Sequence, residues 1–303
     1  MPLVLNALLP ICLIIFMGYS FKHLRFPSTD FWPKMDKFTY YVLMPSLLVY
    51  ELSVAKIDLN HTIDVVVSSI IGIFLILVTL VFLNAILHFE NRAFTSIAQG
   101  SIRFNTYVFL ALINALYGDK GLVLAAIVMA FAIPFINILC ISVFAFYTRE
   151  GRFSLRSFFK TILKNPLIGA CVIGGCLNFL GNPVPFFVLK SISIISHAAL
   201  PMGLLSVGVG LELKYLTYAK KELVVSTLAK LVLFPMLAYG LGVLVGLSGM
   251  SLSVAVIFAS MPTATSAYIL ARELGGDVPL MASIITVQTL LCMGTLFLII
   301  PLL

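Results

Sequence analysis

An arginine and two small polar residues interrupt an apolar part of the chain, at the start of "RFNTYVFLALINALYGDKG" (residues 103–121). The planar guanidinium of Arg103 can donate a pair of hydrogen bonds to a carboxylate. Asn105 and Thr106 can hydrogen-bond to backbone groups that a helix break would free. These residue types predict an anion-binding site. The alternative is that Arg103 lies close to a membrane surface and reaches lipid phosphate.

A second polar interruption lies in "ASMPTATSAYILARELGG" (residues 259–276). Pro262 has no amide hydrogen, so it removes one backbone hydrogen bond from a helix. Hydroxyl groups at Thr263 and Ser266 follow closely and can bond to the groups left free. The sequence therefore predicts a helix break in this stretch as well.

The two stretches together supply the candidate substrate-binding residues. They are Arg103, Asn105, Thr106, Tyr107, Pro262, Thr263, Ser266 and Tyr268. For the hydroxyl and amide groups the alternative is ordinary hydrogen bonding between helices, and for the two tyrosines it is aromatic packing. We expect no metal ligand, because the five cysteines lack the spacing of metal ligands. We also expect no catalytic residue.

Other polar or helix-bending residues lie outside the two stretches. Lys230, within "STLAKLVLFPML", is a candidate for ion coupling, since a desolvated lysine can titrate; a permanent structural charge is the alternative. Pro45 and Pro201 predict kinks in two helices. Glu51 and Glu212 follow those prolines near helix ends, where we expect them to be solvated.

The elements that position these residues follow from composition. The chain is 61% hydrophobic and 10% charged, whereas a soluble domain carries about 25% charged residues. This predicts an all-α polytopic membrane protein. A helix needs about 20 apolar residues to cross a bilayer, and continuously apolar runs exclude the alternation of strands. Ten runs qualify: 3–21, 38–54, 63–87, 97–117, 121–146, 166–182, 190–211, 222–246, 252–271 and 280–302.

The basic residues predict the orientation of the chain. Of nineteen, fourteen fall in the loops after runs 1, 3, 5, 7 and 9, three fall in the other loops, and Arg103 and Lys230 lie within runs. Lys and Arg accumulate on the cytoplasmic side. We therefore expect a multi-pass protein of the plasma (inner) membrane with both termini outside. The net charge of +7 is a topology signal, and no nucleic-acid partner is expected.

The two halves of the chain resemble each other at an offset of about 157 residues. "ALYGDKGLVLAAIV" (115–128) aligns with "ELGGDVPLMASIIT" (273–286), and "LMPSLLVYEL" (43–52) aligns with "ALPMGLLSVG" (199–208). Coincidence between apolar segments is the alternative. Five spans per half would invert the second copy, an arrangement typical of secondary transporters. We expect one membrane domain made of repeats 1–150 and 151–303.

The chain resembles the auxin efflux carrier family, which includes plant carriers and bacterial organic-anion carriers. The resemblance runs nearly end to end and is strongest in "FNTYVFLALINALYGDKGL" and "MPTATSAYILARELGGD". Plant members have an Asn-Pro-Asn-Thr-Tyr motif in segment 4; Asn105, Thr106 and Tyr107 match its last three residues. Arg103 and Phe104 replace the first two. Segment 9 retains its proline as Pro262.

That resemblance implies a fold like those of bile-acid symporters and sodium/proton antiporters. With the ten apolar runs numbered as segments 1 to 10, the resemblance implies a scaffold of segments 1, 2, 6 and 7. This scaffold would carry a core in which segments 4 and 9 cross as broken helices at the midplane. The implied function is transport of a small carboxylate, auxin-like or malonate-like, by an elevator-type movement. The implied partners are the anion and the lipid bilayer, and a homodimer is allowed. No cofactor is expected, and the coupling ion, H⁺ or Na⁺, stays open.

Two other classes of function compete with a carrier. An integral-membrane enzyme is disfavoured, because paired aspartate motifs, His-Glu-x-x-His and a nucleophile beside a base are all absent from the sequence. An anion channel or a receptor-like binding protein stays open, since broken helices also line channels. No nucleotide-binding motif is present, so direct use of ATP is not expected.

Overall fold

The computed structural model describes residues 2–55, 59–148, 165–215 and 220–303, and within these ranges the chain is helical with no strand. Six helical stretches in the described ranges are long and apolar enough to cross a membrane, judged by length and composition. Two further apolar helices are shorter, Pro166–Phe179 and Gly249–Ser260. The chain is thus an all-helical, multi-pass membrane protein.

The first half of the chain contains six α-helices. They are α1 (Pro2–Leu24), α2 (Phe31–Phe38), α3 (Met44–Val54), α4 (Leu59–Leu87), α5 (Asn91–Ile102) and α6 (Thr106–Tyr147). Helices α2 and α3 are joined by a π turn, Thr39–Leu43. Helix α6 bends sharply at Gly118, whose φ of 58° is a backbone conformation that glycine adopts without strain.

The described residues of the second half form eight α-helices. They are α7 (Pro166–Phe179), α8 (Phe186–Ser196), α9 (Ala199–Val209), α10 (Lys220–Leu228), α11 (Phe234–Leu244), α12 (Gly249–Ser260), α13 (Ser266–Glu273) and α14 (Val278–Ile299). A π turn, Ala229–Leu233, joins α10 to α11. Short 3₁₀ turns lie at Leu213–Tyr215 and Ile300–Leu302.

The π turns have a common local cause. Thr39–Leu43 precedes Pro45, and Ala229–Leu233 precedes Pro235. Proline lacks an amide hydrogen and its ring clashes with the carbonyl four residues earlier, so the helix widens by one residue to accommodate it. Pro201 lies in the first turn of α9, where the missing hydrogen is tolerated, and α8 ends just before it.

Two pairs of helices pack along much of their length: α1 against α9, and α3 against α7. The contact between α1 and α9 is close enough to need glycine on both helices. A Cβ atom at Gly18 would lie 2.1 Å from the Leu205 carbonyl oxygen. One at Gly208 would lie 1.9 Å from the Ile15 carbonyl oxygen. Small residues of this kind allow helices in membranes to approach closely.

We expect Gly208→Ala to lower the melting temperature of the purified protein. The new methyl group would meet backbone atoms of α1, which cannot rotate away, and such overpacking costs about 1–3 kcal/mol. Gly240→Ala is the matched control, because a Cβ at this helical position has no neighbour within 4 Å. Thermal unfolding of both variants checks this. Equal melting temperatures would contradict the close contact.

An ion-paired cluster joins the ends of the same two helices. Lys22 Nζ lies 2.8 Å from Glu212 Oε1 and donates to the Leu211 carbonyl at 2.6 Å, and Lys214 lies 3.4 Å from the other Glu212 oxygen. Partial burial raises the pKa of Glu212, but hydrogen bonds and charges from Lys22 and Lys214 outweigh it and hold that pKa below its ordinary value. Glu212 is half-exposed, close to the expected solvated position.

The helix bounds differ from the expected runs in three places. The second run starts at Phe31 rather than 38, and the fourth starts at Asn91 rather than 97, because polar and aromatic residues extend both helices beyond their apolar parts. The described stretch Asn91–Tyr147 is 57 residues long, more than twice the ~20 residues of one crossing. The basic loop 149–164, which would join the two repeats, lies outside the described residues.

Candidate anion site at the helix breaks

The chain leaves helical geometry between α5 and α6, where Asn105 caps the second helix. Arg103 and Asn105 are both extended, with φ/ψ of −71°/155° and −84°/107°. The Asn105 side-chain oxygen accepts hydrogen bonds from the amides of Tyr107 and Val108, at 3.1 and 3.2 Å. Asn105 therefore replaces backbone partners that the break removes, as N-cap residues do. Because both amides donate to Asn105, they are not available to bind a ligand.

A second break separates α12 from α13, and the two breaks touch. Met261 is extended after Ser260, and the Asn105 amide donates to the Pro262 carbonyl at 2.8 Å. Phe104, from the first break, packs against Phe258 with ring centroids 4.6 Å apart. The four helix ends at these breaks therefore meet at one place, held by a backbone hydrogen bond and an aromatic contact.

Gln288 on α14 bonds to both breaks. Its side-chain oxygen accepts from the Thr263 amide at 3.0 Å, and its side-chain nitrogen donates to the Gly100 carbonyl at 3.1 Å. The nitrogen also lies 3.3 Å from the Ser226 carbonyl on α10. Gly100 is in the last turn of α5, where carbonyl groups have no partner in their own helix. One buried amide thus satisfies backbone groups from both interrupted segments.

Arg103 lies at the break itself, with its guanidinium turned toward α6 and α13. One terminal nitrogen donates to Asn137 Oδ1 at 2.8 Å, and the other donates to Ser266 Oγ at 3.4 Å. Its Nε is buried without a hydrogen-bond partner. In the described part of the chain no carboxylate forms an ion pair with Arg103. The guanidinium therefore keeps donors and a positive charge available.

Arg103 opens onto a cavity of ≈ 290 Å³, the Arg103 cavity. Its lining is Tyr40, Arg103, Phe104, Thr106, Ile133, Ile136, Asn137, Asn165, Leu167, Ala264, Ser266, Ile269, Leu270 and Glu273. Apolar walls surround a few polar groups, which is the usual composition of a small-molecule site. A partly desolvated cation with free donors suits an anion, and a carboxylate could take both terminal nitrogens.

The structure brings three of the eight predicted residues to this cavity, namely Arg103, Thr106 and Ser266. The other five take different places. Asn105 is buried and caps α6, Pro262 accepts the hydrogen bond between the breaks, and the Thr263 amide donates to Gln288. The Tyr107 ring packs over Gly203 of α9, and Tyr268 packs against the apolar core.

The depth of Arg103 decides between its two interpretations from the sequence. Helix α5 begins at Asn91, so Arg103 lies twelve residues from the helix start, about 18 Å along the helix at 1.5 Å per residue. The run boundary at 97 had placed it half as deep. Together with its bonds to Asn137 and Ser266, this favours a position at the break over one at the lipid surface.

Lys230 lies apart from the Arg103 cavity. It is fully buried in the π turn between α10 and α11, and its ammonium nitrogen lies 4.7 Å from the centre of the Phe234 ring. That nitrogen has no hydrogen-bond partner in the described part of the chain. Lys230 is thus a buried charge beside the breaks, and its role in ion coupling stays a prediction.

Sequence reasoning missed Asn137, Tyr40 and Gln288. Asn137 is the strongest polar residue in its long apolar run, and Gln288 stands alone in the same way within "MASIITVQTLLCM" (residues 281–293). Buried polar groups in a membrane need a partner, and this rule, applied as it was to Arg103, would have identified both. Tyr40 carried no comparable signal, since tyrosines are common near membrane surfaces.

Comparison with known proteins identifies a family and several relatives. Residues 149–300, half of the chain, match the family described as Membrane transport protein (Mem_trans). A putative malonate transporter of Rhizobium meliloti is 24% identical over 96% of this chain and 92% of its own length. Auxin efflux carrier component 6 of Arabidopsis thaliana is 30% identical over 38% of this chain and 21% of its own length.

An uncharacterized transporter of Methanocaldococcus jannaschii is 28% identical over 46% of this chain and 47% of its own length. This chain therefore spans about half the length of that relative in the match. The descriptions of the family and of these relatives are those of membrane transporters. The chain belongs to the membrane transport protein family, which includes the auxin efflux carriers.

Proposed function

We propose that this chain is a secondary carrier that moves a small organic anion across the plasma membrane. The observation that carries the proposal is Arg103, a guanidinium with free donors and no ion-pair partner in the described residues, facing the Arg103 cavity. Thr106, Asn137 and Ser266 supply further polar groups. The name of the Rhizobium meliloti relative suggests a malonate-like dicarboxylate as cargo, and the plant relative suggests an auxin-like acid.

The mechanism that we infer is elevator-type alternating access. Two cavities lie along the same helices: Tyr40 and Thr106 line the Arg103 cavity, while Glu51 and Asn114 line a second one. Tyr40 and Glu51 are eleven residues apart on one continuous helical stretch, which separates them by about 16 Å along the helix axis. Residues of both helix breaks line the Arg103 cavity. A carrier needs such a pair of cavities, each exposing the anion to a different side.

We further propose ten spans in two inverted repeats, 1–150 and 151–303. Matching features in the two halves support this. Each half has an extended break after a short helix, at Arg103 and at Met261, and these two positions lie at the repeat offset. The packing of α1 on α9 corresponds to that of α7 on α3. The charge distribution supports the proposal that both termini are outside. Lys230 as a coupling group and a homodimeric assembly belong to the same proposal.

Cysteine labelling tests this orientation. In a background without native cysteines, membrane-impermeant maleimide added to intact cells should label Gly118→Cys, at the sharp bend of α6, and Leu303→Cys at the carboxyl terminus. Arg156→Cys, outside the described residues, should react only after the membrane is permeabilised, because basic loops stay in the cytoplasm. Labelling of Arg156→Cys in intact cells would overturn the orientation.

A thermal-shift screen of purified protein tests the function. Malonate, other short organic acids and indole-3-acetate are compared, each with and without Na⁺. Ligand that binds only the native state raises the melting temperature, by an amount that grows with its concentration relative to its dissociation constant. We expect at least one carboxylate to stabilise the protein, whereas matched amides of the same acids should not. No shift with any carboxylate would contradict the proposal.

A further inference from the structure

A second cavity lies at the other end of the helices that line the Arg103 cavity. This Glu51 cavity has a volume of ≈ 350 Å³ and is bordered by α1, α3, α6 and the junction of α8 with α9. Its polar lining residues are Asn6, Glu51, Asn114, Asp119, Ser196 and His197. Tyr40, in the π turn before α3, and several residues of α6 line the Arg103 cavity, so the same two helical stretches run past both cavities.

Glu51 is the unusual residue of this cavity. The sequence led us to expect a solvated carboxylate, but Glu51 is only 8% exposed. In the described residues it has no hydrogen-bond donor and no ion pair. A carboxylate that is largely covered, faces a small cavity and has no charged partner keeps only part of its hydration, so its charged form is disfavoured. The expectation that Glu51 is solvated was wrong, because neighbouring helices cover the end of α3 that contains it.

The groups that face Glu51 do not neutralise it. Asp119 on α6 and His197 between α8 and α9 line the same cavity, and both are exposed. His197 Nδ1 donates to the Ser193 carbonyl at 2.5 Å, so its proton there points away from Glu51. Helices α7 and α9 carry no charged residue, and α1 has none before Lys22. Lys120 and Lys190 are outside the cavity lining, and Lys56 and Asp58 are outside the described residues.

A proton on Glu51 restores the balance without any further ligand. In the described part of the chain no three His, Cys, Asp or Glu side chains converge as metal ligands would. A protonated Glu51 is neutral and has an O–H group to donate. An ionised Glu51, by contrast, would repel a carboxylate in the same cavity. The amides of Asn6 and Asn114 add neutral donors beside it.

We propose that the Glu51 cavity is a second carboxylate-binding site, which accepts the transported anion only when Glu51 carries a proton. Glu51 takes one proton from the adjacent solution, and its acid group then donates a hydrogen bond to the anion; no covalent bond of the cargo changes. Binding is reciprocal, so the anion favours the protonated form of Glu51 by the same factor by which the proton favours the anion. This inference rests on the proposed function as an anion carrier.

The test is malonate counterflow in proteoliposomes with equal pH on both sides, across about pH 5 to 8. Equal pH removes any proton gradient and makes insertion orientation irrelevant. We expect wild-type counterflow to fall as pH rises, approaching tenfold per pH unit once Glu51 is mostly ionised. Glu51→Gln, which keeps a neutral donor, should lose this dependence and exceed wild type about tenfold or more at the alkaline end. Glu90→Gln, which removes an exposed carboxyl group outside the lining of both cavities, should keep the wild-type profile.

Titration of malonate itself is common to all three proteins, so the difference between variants isolates Glu51. Melting temperatures establish that the variants are folded, and Glu51→Ala provides a second uncharged side chain with the same expected profile. Glu51→Gln with the wild-type pH profile would overturn the inference, as would loss of counterflow in the folded variant. If wild type binds acids in the thermal-shift screen, either result leaves the proposed function intact. Failure of wild type in that screen would instead contradict the function.

Discussion

Arg103→Ala is expected to weaken carboxylate binding by about 100-fold or more and to abolish measurable transport at ordinary substrate concentrations. The guanidinium faces the Arg103 cavity with free donors, and each hydrogen bond to a charged group contributes about 1.5–3 kcal/mol. Two such bonds correspond to about 10²–10⁴ in affinity, since 1.4 kcal/mol is tenfold. Isothermal titration of the purified variant with the best acid from the thermal-shift screen measures the change.

Arg103→Lys should recover part of the affinity, because it restores the charge without the planar pair of donors. Arg92→Ala is the matched control. Arg92 is exposed at the start of α5, away from the cavity, so its removal should leave affinity unchanged within about twofold. Normal affinity and transport in Arg103→Ala would show that the arginine is structural.

Asn105→Leu should eliminate transport and lower the stability of the protein. Leucine has about the same size but no oxygen, so the amides of Tyr107 and Val108 would lose their acceptor. Each buried donor left without a partner costs about 1–3 kcal/mol, and water is not available to replace it inside the membrane. Thermal unfolding and counterflow, measured on the same preparation, check both effects.

Asn105→Ser is the matched control for this prediction. Serine also caps helices through a side-chain oxygen, so this variant should retain a measurable fraction of transport and most of the stability. If Asn105→Leu and Asn105→Ser behaved alike, the cap would not be what holds the break open. Equal stability of Asn105→Leu and wild type would contradict the capping role of Asn105 at the start of α6.

Phe104→Pro changes the residue that directly precedes Asn105 in the same break. The backbone of Arg103 already has the extended geometry that a residue before proline prefers, so the proline fits the chain. Phe104 is nonetheless buried, and its ring contacts Phe258 and Phe109. Sequence reasoning from the plant motif would treat this substitution as harmless. The structure leads us to expect an open break but reduced stability, from the lost aromatic packing.

The positions of the breaks were predictable from the sequence because the signals are local. Asn105 beside an apolar run and Pro262 after one each indicate where a helix loses backbone bonds. The partners that stabilise the breaks were harder to identify. Gln288 and Asn137 come from helices 25 and 34 residues away along the chain. Hydropathy shows that a residue is in a span but not which side of the helix it occupies.

The same limit explains why some candidate residues do not reach the cavity. Tyr107 follows Thr106 directly, and successive residues on a helix point about 100° apart, so the Tyr107 ring is turned toward Gly203 of α9 while Thr106 lines the cavity. Lys230 lies in a π turn, which shifts the faces of the helix by one residue relative to a regular pattern. The burial of Glu51 depends on packing between distant helices, which the sequence alone does not specify.

The measurement that tests the central proposal most directly is counterflow in proteoliposomes containing the purified protein. Vesicles are loaded with unlabelled malonate, or with the acid that stabilises the protein most, and labelled acid is added outside. A carrier that exposes its bound anion alternately to the two sides predicts transient accumulation of label, saturation with outside concentration, and loss of both in Arg103→Ala. Flux that grows in proportion to concentration, without accumulation, would indicate a channel and contradict the carrier mechanism.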